Sequence, residues 1–143
     1  YWRDTLPTQA VRLDKIITGT YNVPGNYKVV YQTNLSGGTW RTMYDNLSTM
    51  QNYTLDASPA ALGLASNEYV TQFMVSFGVV PANFRQVEAP RVYCNVVSWL
   101  TGGTQFVNQA DVGGVYDGQW IMATSRWVTK VYKPSEPLPR TGY

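Results

Sequence analysis

The sequence contains no histidine and only one cysteine, Cys94. Without an imidazole, Ser-His-Asp and Cys-His mechanisms are excluded, together with every His-containing metal site. One cysteine can form neither an internal disulfide nor a thiolate cluster, and it leaves the redox compartment open. Cys94 lies in the run Val92-Tyr93-Cys94-Asn95-Val96-Val97, where it reads as a small buried hydrophobe rather than a reactive thiol. Charge is scarce too: 14% of residues are charged, against roughly 25% in a typical soluble domain. The net charge of +2 comes from scattered residues. No run of Lys or Arg forms a stripe able to follow a phosphate backbone, so nucleic acid is not an expected partner. No apolar run reaches the roughly 18 residues of a membrane span. No Asp cluster has the spacing of a calcium loop, and no pair among the nine carboxylates is marked out as a glycosidase acid and base. The expectation is a protein with no cofactor or metal and no enzymatic activity.

What is abundant is aromatic and β-branched. Eleven Tyr and five Trp stand in a chain that is 44% hydrophobic, which is strand composition. At 143 residues the chain suits one domain with a real core. Runs that read as strands are Ala10–Thr18, Tyr27–Thr33, Trp40–Tyr44, Tyr53–Asp56, Tyr69–Val80, Arg91–Leu100, Gln105–Val112, Gln119–Ala123 and Trp127–Tyr132. Pro24-Gly25-Asn26, Asn34 to Gly38, Gly102-Gly103, Gly113-Gly114 and Asp117-Gly118 read as turns between them. Residues 57–65 read as a loop with one helical turn. These spacings predict an all-β fold, an antiparallel immunoglobulin-like β-sandwich of about eight strands over residues 1–133, with a small barrel as the competing architecture. Residues 134–143 read as a Pro-rich extended linker and signal.

That tail carries the most specific motif. Leu138-Pro139-Arg140-Thr141-Gly142 matches Leu-Pro-X-Thr-Gly, which sortases cleave between Thr and Gly before joining the Thr carboxyl to peptidoglycan. Such a site must be exposed and extended, and Pro134, Pro137 and Pro139 block helix and strand pairing around it. The hydrophobic helix and basic stop that normally follow such a signal are absent, so any membrane contact would run through that absent C-terminal helix. With no initiator Met before Tyr1-Trp2-Arg3, the chain reads as an excised fragment of something longer.

The runs Ala10–Asn22, Tyr27–Asn34, Glu68–Phe73 and Phe77–Pro81, taken with the tail, resemble immunoglobulin-like repeat domains that adjoin the sortase signal in large surface proteins of Gram-positive gut bacteria. The resemblance implies an extracellular, wall-anchored stalk module without catalytic turnover, whose partners are sortase and peptidoglycan. An adhesin-type module that binds a host glycan or protein is the alternative. Trp40, Trp99, Trp120 and Trp127 are candidates for a sugar-stacking face, although core packing is the commoner fate of such residues. Three sequons, at Asn34, Asn46 and Asn52, read as glycosylation acceptors in a eukaryotic secreted protein and as ordinary loop residues in a bacterial surface protein.

The same resemblance brings an internal Lys–Asn isopeptide bond into view. An uninterrupted period of two places Lys15 inward with Val11, Leu13 and Ile17, and Asn108 inward with Phe106, Ala110 and Val112. Burial would lower the Lys pKa, and a protonated carboxyl would polarise the amide. Glu68 is the first candidate for that acid and Asp56 the second. The alternative has Lys15 reaching solvent at a sheet edge and Asn108 capping a turn.

Overall fold

Apolar and polar residues alternate along most of the chain, and these runs become strands. The computed structural model describes residues 1–99, 105–116 and 118–130. In chain order these are β1 (Trp2–Thr5), β2 (Val11–Ile17), β3 (Thr20–Tyr21), β4 (Asn26–Thr33), β5 (Arg41–Ser48) and β6 (Thr54–Asp56). A single helical turn, α1 (Pro59–Leu62), precedes β7 (Val70–Ser76), β8 (Gln86–Glu88), β9 (Arg91–Val96), β10 (Gln105–Tyr116) and β11 (Gln119–Lys130). The Ser58 hydroxyl caps α1 by accepting from the Ala61 N–H, and Gly63, at φ 64°, ends it in the left-handed conformation.

The fold is all-β and antiparallel, as the spacing predicts, with eleven strands among the described residues in place of about eight. Three short strands, β1, β3 and β8, are additions to the expected set. Gln119–Ala123 and the run from Trp127 belong to one strand, β11. Gly113 and Gly114 lie inside β10 instead of turning the chain. β7 stops at Ser76, just before Gly78 at φ 77°.

One sheet has the strand order β11-β10-β1-β7-β4-β5, the second β6-β2-β9, and β3 pairs with β8. The inward faces of the two larger sheets meet in one sandwich-like cluster. Trp2, Phe73 and Val75 enter it from the first sheet and Leu13, Ile16 and Leu55 from the second. Trp2 meets Phe73 edge to face at 5.5 Å, and its indole N–H donates to the Tyr21 hydroxyl at 2.9 Å. Tyr21 stacks on Phe84 at 5.3 Å and meets Phe77 edge-on at 4.8 Å. The core therefore ends in an aromatic cluster whose polar tips are partly satisfied.

β10 and β11 form a hairpin paired without a register shift from Gln105↔Lys130 to Tyr116↔Gln119. Only Gln109–Val112 of it faces β1. On the outer face, Asp111 accepts from Arg3 at 2.7 Å and from the Thr124 hydroxyl at 2.6 Å, tying β1, β10 and β11 together. The Tyr1 ring lies over Gly113, where a Cβ would come within 2.6 Å of the phenol oxygen, and stacks on Trp120 at 5.6 Å.

Gly19, between β2 and β3, has φ +72°, and a Cβ there would stand 2.3 Å from the Glu88 carbonyl oxygen. Gly19→Ala thus combines left-handed strain with a clash against backbone. A loss of about 2–4 kcal/mol is expected in urea unfolding; a loss under about 0.5 kcal/mol would contradict this packing.

Candidate functional site

The Leu138, Pro139, Arg140, Thr141 and Gly142 signal and the linker before it lie outside the described residues. The proposed crosslink residues, by contrast, are placed. Register slips between Leu13 and Lys15 where β2 pairs with β9, from Leu13↔Cys94 to Lys15↔Tyr93. Asp14 is the extra residue of a bulge, and the inward face passes from Leu13 to Ile16. Lys15 consequently stands on the outer face, its Nζ 4.8 Å from the centre of the Tyr93 ring. It reaches solvent from the middle strand of its sheet rather than from an edge.

Glu68 sits in the turn before β7. Its carboxylate accepts from the Thr33 hydroxyl at 2.6 Å, from Arg41 at 2.8 Å and from the Ala65 N–H at 3.2 Å. Those bonds, the Thr33 one foremost, hold its pKa below the usual range, so it is a poor proton donor. Asp56 is exposed and is likewise lowered by hydrogen bonds from Ser58. Asn108 is half-buried in β10, its Oδ1 accepting from the Gln109 N–H at 3.1 Å, so it caps no turn. Among the described residues none of Lys15, Asn108, Glu68 and Asp56 is hydrogen-bonded or ion-paired to another, and no crosslink site assembles from them.

Two carboxyls are buried among the described residues: Asp111, which is paired with Arg3, and Asp4. In β1 Asp4 lies opposite Ala110 on one side and Phe73 on the other, so it shares the inward face with Trp2. It is 4% exposed, and its Oδ1 is buried without a hydrogen-bond partner. Burial pushes its pKa up to about 6. The neighbouring Cys94 thiol is pushed up to about 12, by burial first and then by the charges of Asp4 and Asp14. At neutral pH Cys94 is a thiol packed on the core and not a nucleophile.

A more open site lies at the far end of β2. A cleft of about 790 Å³ is lined by Arg12, the segment from Gly63 to Tyr69, Val97 and Trp99. The Arg12 guanidinium carbon lies 4.1 Å from the centre of the Tyr69 ring and 5.5 Å from that of Trp99. The same side chain donates to the backbone carbonyls of Thr8 and Val11, so its position is set by three elements at once. Trp99 remains 69% exposed beside Ser66, Asn67 and Glu68. An apolar ring next to amide, hydroxyl and carboxylate groups suits a polyhydroxylated ligand, whose C–H face stacks while its hydroxyls hydrogen-bond.

Three of the four expected tryptophans are described, and they lie in different parts of the fold. Trp40 is half-buried before β5, Trp99 borders the cleft and Trp120 lies on the β10–β11 hairpin. The Trp127 side chain is outside the described residues. Of the sequon residues, Asn34 bridges to Asn67 and Tyr69, and Asn52 accepts from the Gly19 N–H. Both side chains tie loops together. Arg12, Tyr69 and Asp4 are the residues that sequence reading passed over. The signal for Arg12 was present in its place beside Leu13, but nothing local revealed the ring across from it. No protein-family model, curated protein or solved structure matches this chain.

Asp4 generates a pH prediction. Its folded pKa of about 6 exceeds the ordinary carboxyl value of 3.8, so the folded state binds the extra proton. Its contribution to stability is complete below pH 3.8 and is lost as pH rises through about 6. Asp4→Asn should therefore gain on the parent between pH 4 and 7, approaching about 3 kcal/mol at neutral pH at 1.36 kcal/mol per unit. Urea unfolding of both proteins across that range checks it, and a constant difference would contradict it.

Proposed function

We propose that this chain is the anchor-proximal, non-enzymatic stalk domain of an extracellular surface protein that sortase joins to cell-wall peptidoglycan. The observation that carries the reading is the Leu138-Pro139-Arg140-Thr141-Gly142 motif following the prolines at 134 and 137. Strand directions support it. β1 starts at the level of Val112, while β11 ends opposite Gln105, at the other end of the same sheet. Force entering before β1 and leaving after β11 loads the β1–β10 and β10–β11 ladders in shear, so rungs resist together. A spacer under tension needs that geometry. Incubation with a housekeeping sortase and an oligoglycine amine should release Gly142-Tyr143 and attach the amine at Thr141, read by intact mass. Thr141→Ala should abolish the product. Transfer unchanged in that variant would remove the motif as the signal.

A second reading, an adhesin-type module for a host glycan or protein, is favoured by the exposed Trp99 beside Arg12, whose guanidinium also lies over Tyr69. A glycan array on the isolated chain should then give a hit that Trp99→Ala weakens at least tenfold, because base and sugar stacking alike depend on an aromatic face. A hit insensitive to Trp99→Ala would place binding elsewhere.

A further inference from the structure

The inward face of β1 borders a groove with two lobes. One, of about 380 Å³, is lined by Trp2, Tyr21, Phe77 and Phe84 among others. The other, of about 410 Å³, contains Asp4, Asn108, Val92 and Ala110. Trp2, Gln86 and Val112 line both, so the lobes adjoin. An aromatic and aliphatic wall, with Arg85 in the first lobe and Asp111 in the second, thus leads to the Asp4 carboxyl.

Among the described residues that carboxyl has no hydrogen-bond or ion-pair partner. Asp4 is 4% exposed, and its buried Oδ1 has no hydrogen-bond partner among the described residues. Two cations near β1 are engaged elsewhere, while Arg85 lines the first lobe. Arg3 is on the opposite face of β1 with Asp111, and Lys15 lies over Tyr93 outside the second sheet. A buried carboxylate without donor or counter-charge is costly, and with the Tyr27 hydroxyl it is one of two buried side-chain groups among the described residues with an unpartnered atom. Asn108 and Gln86 line the same lobe, each with an amide oxygen able to accept. Three acceptor groups, in a lobe whose remaining lining is apolar apart from Asp111, match the three N–H donors of a primary ammonium. They match a quaternary ammonium, which has no donor, poorly.

We propose that this groove binds a primary alkylammonium group, with the ammonium against Asp4, Asn108 and Gln86 and the alkyl chain along Trp2 and Val112. The group belongs to a free aliphatic amine or to a lysine side chain of a partner. The site is independent of the Trp99 cleft and of the tail motif.

Isothermal calorimetry at pH 7.5 with n-hexylammonium chloride tests it on the unaltered chain. Saturable binding is expected, with 1-hexanol at least tenfold weaker because it lacks the charge and two of the three donors. Asp4→Asn should weaken hexylammonium at least tenfold. This variant is expected to be more stable than the parent, so loss of binding cannot be ascribed to unfolding. A second arm uses Nα-acetyl-lysine methylamide: tighter binding than hexylammonium assigns the site to a lysine side chain, and weaker binding assigns it to a free amine. No saturation at tens of millimolar, equal affinity for hexanol, or affinity unchanged in Asp4→Asn would each overturn the proposal.

Discussion

Four residues, Trp2 to Thr5, hold the two halves of the larger sheet together. β1 pairs with β7 on one side and with β10 on the other, so the β10–β11 hairpin joins the rest of the molecule through this strand. A two-stranded hairpin is at best marginal in water on its own, and this one leaves Val112, Val115, Trp120, Ile121 and Met122 more than half exposed. Its attachment is therefore concentrated. On the outer face it rests on the Arg3–Asp111–Thr124 bonds and the Tyr1 ring over Gly113. On the inner face it rests on Trp2, which also anchors Phe73 and Tyr21.

The same strand places a carboxyl where an aliphatic side chain would stabilise the core. Asp4 occupies the inward position next after Trp2 and faces the Ala110 and Phe73 rungs. Residues that break a local rule in this way are commonly kept for a purpose other than stability. The groove beside Asp4 and the donors missing from it give that purpose a chemical form. The Trp99 cleft is different in kind, since Arg12 there is already satisfied by backbone carbonyls and two rings.

Long alternating runs made most of this fold legible. β2, β4, β6 and α1 lie where their patterns put them, because the inward residues Leu13, Val29, Tyr31 and Leu55 are apolar and the turns carry Gly, Pro and Asn. β1 was illegible for a specific reason: its inward pair is Trp2 and Asp4, and an Asp erases the period-two signal. β3 and β8, at two and three residues, are too short to show any period. The facing of Lys15 failed because a bulge at Asp14 has no marker in a single sequence, yet it inverts every side chain after it. The glycines at 113 and 114 resemble a turn, but Gly113 serves as a flat seat for the Tyr1 ring. The Asp4 groove gathers residues from β1, β8, β9 and β10, and such a gathering is a tertiary fact with no local trace.

The claim on which the stalk reading depends is that β1 and β11 carry force in shear across β10. Single-molecule pulling with handles before Tyr1 and after Lys130 tests it directly, against a second geometry with handles before Tyr1 and at Gly118. In the second geometry both handles sit at one end of the sheet, and the β1–β10 rungs open in turn. The account predicts one cooperative rupture in the first geometry, at a clearly higher force than in the second. Early low-force peeling of β11 in the first geometry, or equal forces in the two, would contradict it.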